Sequence, residues 1–401
     1  MPSDSACQLC RRDALTELLD LGPQPISNRF LADPAAAEAR FPLTLAQCNA
    51  CGLAQLSRTV PARELRSPYA WVTYHEPESH LDRLADRIAH LPGLVPDALI
   101  LGLSFKDDSL LRRLPALGYR RTYRLDPAQD LQIEVASGVE SIQDRLDVRR
   151  AESLIATHGK AQVVVARHIL EHAHNLHRFL AGLRALLAPE GYLVLEVPDC
   201  QIALRLGDCT TLWEEHIVYF TPSTFRQLFP QVGWRLFSLD VFPYRLENLL
   251  VGIAQAGSCS DVPHAPPDLK TELATLRTFA EGLPQQRQRF AQYLGDFRRQ
   301  QGPIAVLGAG HLACAFINYL QLEPHIAFVV DDDPHKQGLF MPGSHLPIRS
   351  SQALLEENVR LCLLSVNPEV EEKVLQRNHG FVERGGRFAS MFAASNRALF
   401  A

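Results

Sequence analysis

No stretch of this 401-residue sequence approaches the eighteen or so unbroken apolar residues that a bilayer-spanning helix needs, so no membrane span is expected. Long runs of one charge are missing too. The 40 basic and 45 acidic residues are mixed along the chain, and Arg11-Arg12 and Arg149-Arg150 are pairs, not blocks. Without a basic face to track phosphates, nucleic acid is not the expected partner. The first residues, Met1 to Cys7, have neither a basic start nor an apolar run, so a secretory leader is not expected and a cytoplasmic location is. In that reducing compartment the nine cysteines read as metal ligands or buried thiols before they read as disulfides.

The length exceeds what one core usually serves, so two or three domains are expected. Residues 1–75 are rich in turn residues, poor in helical periodicity, and hold two cysteine pairs. Residues 76–256 alternate amphipathic stretches with the apolar runs Ala98–Leu101, Val163–Ala166 and Gly191–Val197. That alternation marks a parallel sheet covered on both faces, a doubly wound domain. A Ser/Asp/Pro-rich joint, Gly257 to Pro267, leads into a polar stretch with helical spacing, read as a connecting helix or helical pair within 257–300. Residues 301–401 repeat the parallel pattern with Ile304–Leu307, Ile326–Val330 and Leu361–Ser365, a second, smaller α/β domain.

Cys7-x-x-Cys10 and Cys48-x-x-Cys51 are two knuckles whose four thiolates can share one tetrahedral cation. Such a site has no open position, so a zinc there would supply folding energy and no chemistry. Two other readings stay open here: unrelated free thiols, and a redox dithiol, which needs one pair on a thioredoxin-like unit. Cys200, Cys209, Cys259, Cys314 and Cys362 lack motif spacing and read as buried small apolar residues.

In the central stretch Gly102 follows an apolar strand and opens a helix, at the strand end where open α/β sheets bind nucleotides. Asp107 and Asp108 lie in that turn. About twenty residues on, Asp126 ends a second strand with an acid suited to ribose hydroxyls. Arg167-His168-Ile169-Leu170-Glu171-His172 follows the next strand at the same edge. Gly102, Asp107, Asp108, Asp126 and Arg167 are therefore the candidate cofactor contacts, although a plain turn also accounts for a lone glycine. Trp213-Glu214-Glu215-His216 sets a carboxylate beside an imidazole among aromatics. That suits proton abstraction next to a carbonyl, the His taking the proton and the acid orienting it or tuning its pKa. A single His is more often a surface or capping residue; two Glu-His pairs, Glu171-His172 and Glu215-His216, put catalysis on an equal footing.

Beyond the cysteine pairs, Leu21–Asn28, Phe41-Pro42-Leu43, Cys48–Leu56, Asp126-Pro127-Ala128, Glu215–Phe220, Val306–Gly310 and Val330–Ile348 run in order along nearly the whole chain. In these segments it resembles the zinc-containing C-methyltransferases of deoxysugar biosynthesis, which methylate a ketosugar nucleotide at the carbon beside its carbonyl. The resemblance implies a small N-terminal zinc-binding module, a central Rossmann-like class I methyltransferase domain and a smaller C-terminal α/β domain. It implies S-adenosylmethionine and a structural Zn2+ as cofactors and a nucleotide-linked sugar as the small-molecule partner. It also makes His216 the general base, Glu215 its partner, and His172 the match of a further family histidine. Three departures stand out. Trp213 replaces the tyrosine of the family's Tyr-His-Glu-His element, Trp71 stands for a tyrosine in Tyr69–Tyr74, and Ser104–Asp108 replaces a Gly-Ser-Asn-Asp-Gly turn with only Asp107 agreeing. Side chains at glycine positions bring Cβ atoms towards a ligand and make positive φ costly.

Gly308-Ala309-Gly310, with Asp331 some twenty residues on, has the form of a dinucleotide fingerprint and in isolation predicts an NAD enzyme. The resemblance makes it instead a domain that helps enclose the substrate. A methyltransferase fold kept only for binding is a further reading, favoured by the altered loop after Gly102. A zinc-ribbon nucleic-acid binder is another, opposed by the lack of a basic face near the cysteines.

Overall fold

The computed structural model describes residues 6–69, 71, 76–133, 138–256 and 268–400, and its strands form three sheets. Part of the Tyr69–Tyr74 stretch, the 257–267 joint and Cys259 lie outside the described residues. Near the N-terminus, β1 (Leu15–Pro25) and β2 (Arg40–Cys48) pair antiparallel, and β3 (Ala54–Leu56) continues the sheet. Tight turns at both cysteine pairs flank them. The Arg11 N–H donates to the Cys7 carbonyl and the Gly52 N–H to the Cys48 carbonyl; Gly52 takes a φ of +80°, which favours glycine.

The second sheet holds β4 (Ile100–Gly102), β5 (Thr122–Arg124), β6 (Ala161–Arg167) and β7 (Leu187–Asp199), all parallel. After β8 (Val218–Tyr219), the strands β9 (Trp234–Phe242) and β10 (Asn248–Ala256) complete it in the order β5-β4-β6-β7-β10-β9, with β10 antiparallel to both neighbours. On β6, Val164 and Ala166 enter one apolar cluster and Val163 and Val165 another. Both faces are thus buried, which is why the sequence there is a continuous apolar run and not an alternation. The chain leaves β4 for β5 on one side and later crosses to β6 on the other. This reversal opens a crevice beyond the carboxyl ends of β4 and β6, where such sheets bind ligands.

Strand β8 does not join that sheet. It pairs with β3, Ala54 opposite Tyr219 and Gln55 opposite Val218, so the segment that immediately follows His216 is the fourth strand of the cysteine-bearing sheet. The polar stretch read as a helix or helical pair is a single helix, Leu269–Gln301, running through Pro284. Last come β11 (Ile304–Leu307), β12 (Phe328–Val330), β13 (Ile348–Arg349), β14 (Leu361–Leu364) and β15 (Arg387–Ser390), parallel throughout in the order β13-β12-β11-β14-β15. Leu43 and Leu45 of β2, Tyr219 of β8, Leu276 and Phe279 of the long helix and Val306 of β11 share one core, which joins the first and third sheets. Among the described residues no helix is long and apolar enough to cross a membrane.

Candidate functional site

A cavity of about 350 Å³ lies at the crevice and is lined by groups from all three parts of the chain, Asn28, Lys106, His172, Glu215, His216 and His311 among them. That volume suits a small organic ligand. A second hollow of about 190 Å³ adjoins it and shares Trp213, His216 and His311.

His216 is held on a loop that the N-terminal part braces. The Ser27 N–H and hydroxyl both donate to Glu214 Oε1, each at 2.6 Å, and the Trp213 indole N–H donates to Ser27 Oγ at 2.9 Å. Asn28 Nδ2 donates to Glu215 Oε1 at 2.9 Å. From the other side the Ile217 N–H donates to the Glu171 carbonyl at 2.7 Å, which ties the loop to the turn carrying His172. The two imidazoles stand edge to face, ring centres 4.8 Å apart, and Trp213 stacks on His311 at 4.3 Å. His172 stands beside His216, and Glu215 precedes it on the same loop with its carboxyl on Asn28.

Burial sets most protonation states here. It pushes His216 down to about 3, helped by the nearby His311, with the Glu76 charge opposing. It also holds His172 well below the usual range, helped by His216. Glu215 moves well up, through burial first and then the charges of Glu214 and Glu140. His168 goes the other way: burial would lower it, but Glu76, Glu171 and Glu196 outweigh that and raise it to about 10. At neutral pH the cavity therefore presents three neutral imidazoles, His172, His216 and His311, one imidazolium, His168, and carboxyls at Glu215 and Glu247 whose protonated form burial favours. Among the described residues, the buried atoms Asn28 Oδ1, Glu171 Oε2 and His172 Nδ1 find no hydrogen-bond partner. All three residues line the cavity, so a polar ligand is the natural complement. Glu171, His172 and His216 also offer donor atoms within 4.8 Å of one another, a set able to take a divalent ion.

The five candidate cofactor contacts behave differently. Among the described residues lining the cavity none of them appears. Gly102 is required by packing, since a Cβ would sit 2.8 Å from both Asp107 Cβ and Leu111 Cδ1. The Asp107 carboxylate folds over it and accepts from the N–H groups of Leu103, Ser104 and Arg167 at 2.8 to 3.0 Å. Asp108 pairs with Arg124 at 3.0 Å beside a separate surface hollow, and Asp126 caps the helix Pro127–Leu131. Arg167 lies behind the cavity wall, its guanidinium on Glu196 at 2.9 Å and on the Lys106 carbonyl. Glu196 also meets His80 and His168, each at 2.9 Å. Removing one partner of such a pair leaves a buried charge uncompensated, so Arg167→Met is expected to cost about 3–5 kcal/mol in urea unfolding.

The four cysteines of the N-terminal pairs converge, Cys7 Sγ to Cys51 Sγ and Cys10 Sγ to Cys48 Sγ both at 3.5 Å. A tetrahedral zinc with Zn–S bonds of about 2.3 Å asks for sulfurs roughly 3.8 Å apart. Thiols this close cannot all ionise without a cation between them, so the donor set fits zinc.

Three family descriptions match the chain in order: "Putative zinc binding domain" over residues 7–65, a methyltransferase domain over 84–239 and a C-methyltransferase C-terminal domain over 268–392. The C-methyltransferase NovU of Streptomyces niveus is 26% identical over 397 residues, 95% of this chain and 94% of that protein. The chain is similar to C-methyltransferases along nearly its whole length. It is an S-adenosylmethionine-dependent enzyme with a class I methyltransferase fold, a separate N-terminal cysteine module and a separate C-terminal domain. Among solved structures, the Burkholderia thailandensis 1,6-didemethyltoxoflavin-N1-methyltransferase is 14% identical with a TM-score of 0.29, covering 44% of this chain and 79% of that one. The magnesium protoporphyrin IX methyltransferase of Synechocystis PCC 6803 is 15% identical with a TM-score of 0.30, covering 44% and 83%. At such scores the strand order, not the likeness, carries the fold.

This C-methyltransferase also has cavity residues that motif reading passed over. Asn28 lies in a segment like the family's, but nothing in its spacing says that it reaches Glu215. His168 stands inside the quoted strand-end segment and turns out of β6 with a left-handed φ of +47°, uncommon for a residue with a side chain. His311 follows the Gly308-Ala309-Gly310 turn and faces the central cavity. Asp331, the acid of the dinucleotide fingerprint, accepts from the Ala309 N–H and from Lys336, both at 2.9 Å.

Proposed function

We propose that this enzyme methylates the carbon beside the carbonyl of a ketosugar nucleotide or a related small molecule, with His216 as the base. The observation that carries the reading is a neutral, half-buried imidazole in a cavity walled by the class I sheet and the C-terminal domain. S-adenosylmethionine, when bound, supplies an electrophilic methyl group. Gly102, Asp107 and Arg167 support the turn that shapes its crevice from behind, and the cysteine module holds a structural zinc. His216 takes the proton of the carbon acid, and the imidazolium so formed faces the Glu76 charge, which favours it. Glu215 keeps its own proton and donates a hydrogen bond to the developing enolate oxygen, which a buried carboxyl can do at neutral pH. Enclosure keeps water off the enolate and holds the reacting atoms in line.

The reading is tested by exchange of the substrate α-hydrogen in D2O, with S-adenosylhomocysteine filling the cofactor crevice and no methyl donor. His216 must be neutral to accept a proton. Because its pKa lies below the ordinary histidine value, near 3, the exchange rate is expected to stay flat as pH falls from about 7.5 to about 5.5, where an ordinary imidazole near 6.5 loses most of its neutral form. A rate that drops through the ordinary histidine range, or no exchange with any ketosugar nucleotide, counts against it.

A further inference from the structure

Lys106 and Glu76 meet at the wall of the main cavity, Nζ to Oε1 at 2.7 Å, and both residues line it. The lysine backbone is fixed: its carbonyl accepts from the guanidinium of the buried Arg167, whose backbone N–H donates to Asp107 Oδ1. The side chain instead reaches along the Phe105 ring, Nζ 5.5 Å from the ring centre. Glu76 stays ionised near 2; burial would raise it, but His168 and Lys106 more than offset that. The Lys106 side chain is nearly buried and that of Glu76 is half-buried; an ion pair drawn partly out of water is a weak route to stability, so the pair calls for another explanation.

The sulfonium of the methyl donor has three arms. Its methyl must face the carbon acid beside His216, and its nucleoside follows the crevice along the strand ends. The third arm is an α-amino acid head, a carboxylate and an ammonium on one carbon. Lys106 and Glu76 offer the two opposite charges side by side at the cavity wall. We propose that Lys106 takes the carboxylate and Glu76 the ammonium of that head, their own ion pair opening to admit it. This rests on the reading above that the donor occupies this cavity.

Titration calorimetry with S-adenosylhomocysteine, its decarboxylated analogue and 5′-methylthioadenosine tests it without turnover. The native protein is expected to prefer S-adenosylhomocysteine over the decarboxylated analogue by about ten- to a hundredfold, the worth of a charge-assisted contact. Lys106→Met should erase that preference while leaving 5′-methylthioadenosine affinity unchanged, and Lys106→Arg should keep most of it. The unchanged affinity for 5′-methylthioadenosine also reports that the variant is folded. If Lys106→Met keeps the preference, or loses affinity only for a sugar nucleotide, the clamp is wrong. If the native protein binds none of the three ligands, the cofactor reading itself fails and the clamp with it.

Discussion

His216→Asn is expected to lower methyl transfer by about 10²- to 10⁴-fold, the usual worth of a positioned proton acceptor, while S-adenosylhomocysteine binding stays unchanged. The argument is geometric. Among the described residues no hydrogen bond to the His216 ring is found, only ring contacts with His172, Trp213 and Tyr219. The loop is fixed by its neighbours, through Ser27 on Glu214, Asn28 on Glu215 and the Ile217 N–H on Glu171. Asparagine is polar, smaller and tolerated in such a loop, so the fold should survive and the loss should fall on turnover. Its side chain cannot take up a proton at any working pH. A single-turnover assay separates the two effects: a slow chemical step with normal cofactor affinity supports the assignment, and a near-native rate moves the base to another group.

The strands that sequence shows best are those buried on both faces, because a run such as Val163–Ala166 or Leu361–Leu364 has no polar face to obscure it. The weaker signals are the half-exposed β9, with its intermediate positions at Ser238 and Leu239, and the two-residue β8, which exists only because Ala54 and Gln55 need partners. Spacing reports contacts along the chain and not across it. Cys7 and Cys10 could be paired with Cys48 and Cys51 because the knuckles are local motifs and a shared ion explains both. Nothing local tells that Asn28 will reach Glu215, or that His311 will stack on Trp213. Gly102 shows the limit of motif reading in the other direction: the glycine was legible, but its reason is the Asp107 side chain lying over it. Asp107 itself is pushed up to about 7 by burial, against the backbone N–H groups that favour its charge. It is a structural part of the turn that bears the cavity, reached through neighbours and not through ligand.

Loss of the proposed zinc should silence the enzyme through the same wiring. Cys48 closes β2, β2 pairs with β3, β3 pairs with β8, and β8 begins two residues after His216. Ser27 and Asn28, which brace the loop carrying His216, come from the stretch after β1 in the same sheet. Cysteine-zinc sites contribute on the order of 10 kcal/mol to folding of small modules, well above the roughly 1 kcal/mol of each loop hydrogen bond. Cys48→Ser is therefore expected to take bound zinc from about one ion per chain to none and to abolish transfer. Binding of S-adenosylhomocysteine should outlast activity, because the cluster of Ile100, Val163, Val165 and Val251 on one face of the central sheet contains no residue of the cysteine module. Metal content by atomic emission, read beside calorimetric cofactor binding and turnover on the same sample, checks all three. A zinc-free protein that still methylates at the native rate would show that the loop holds its geometry without the module, and that the pairing of β3 with β8 does not govern where His216 stands.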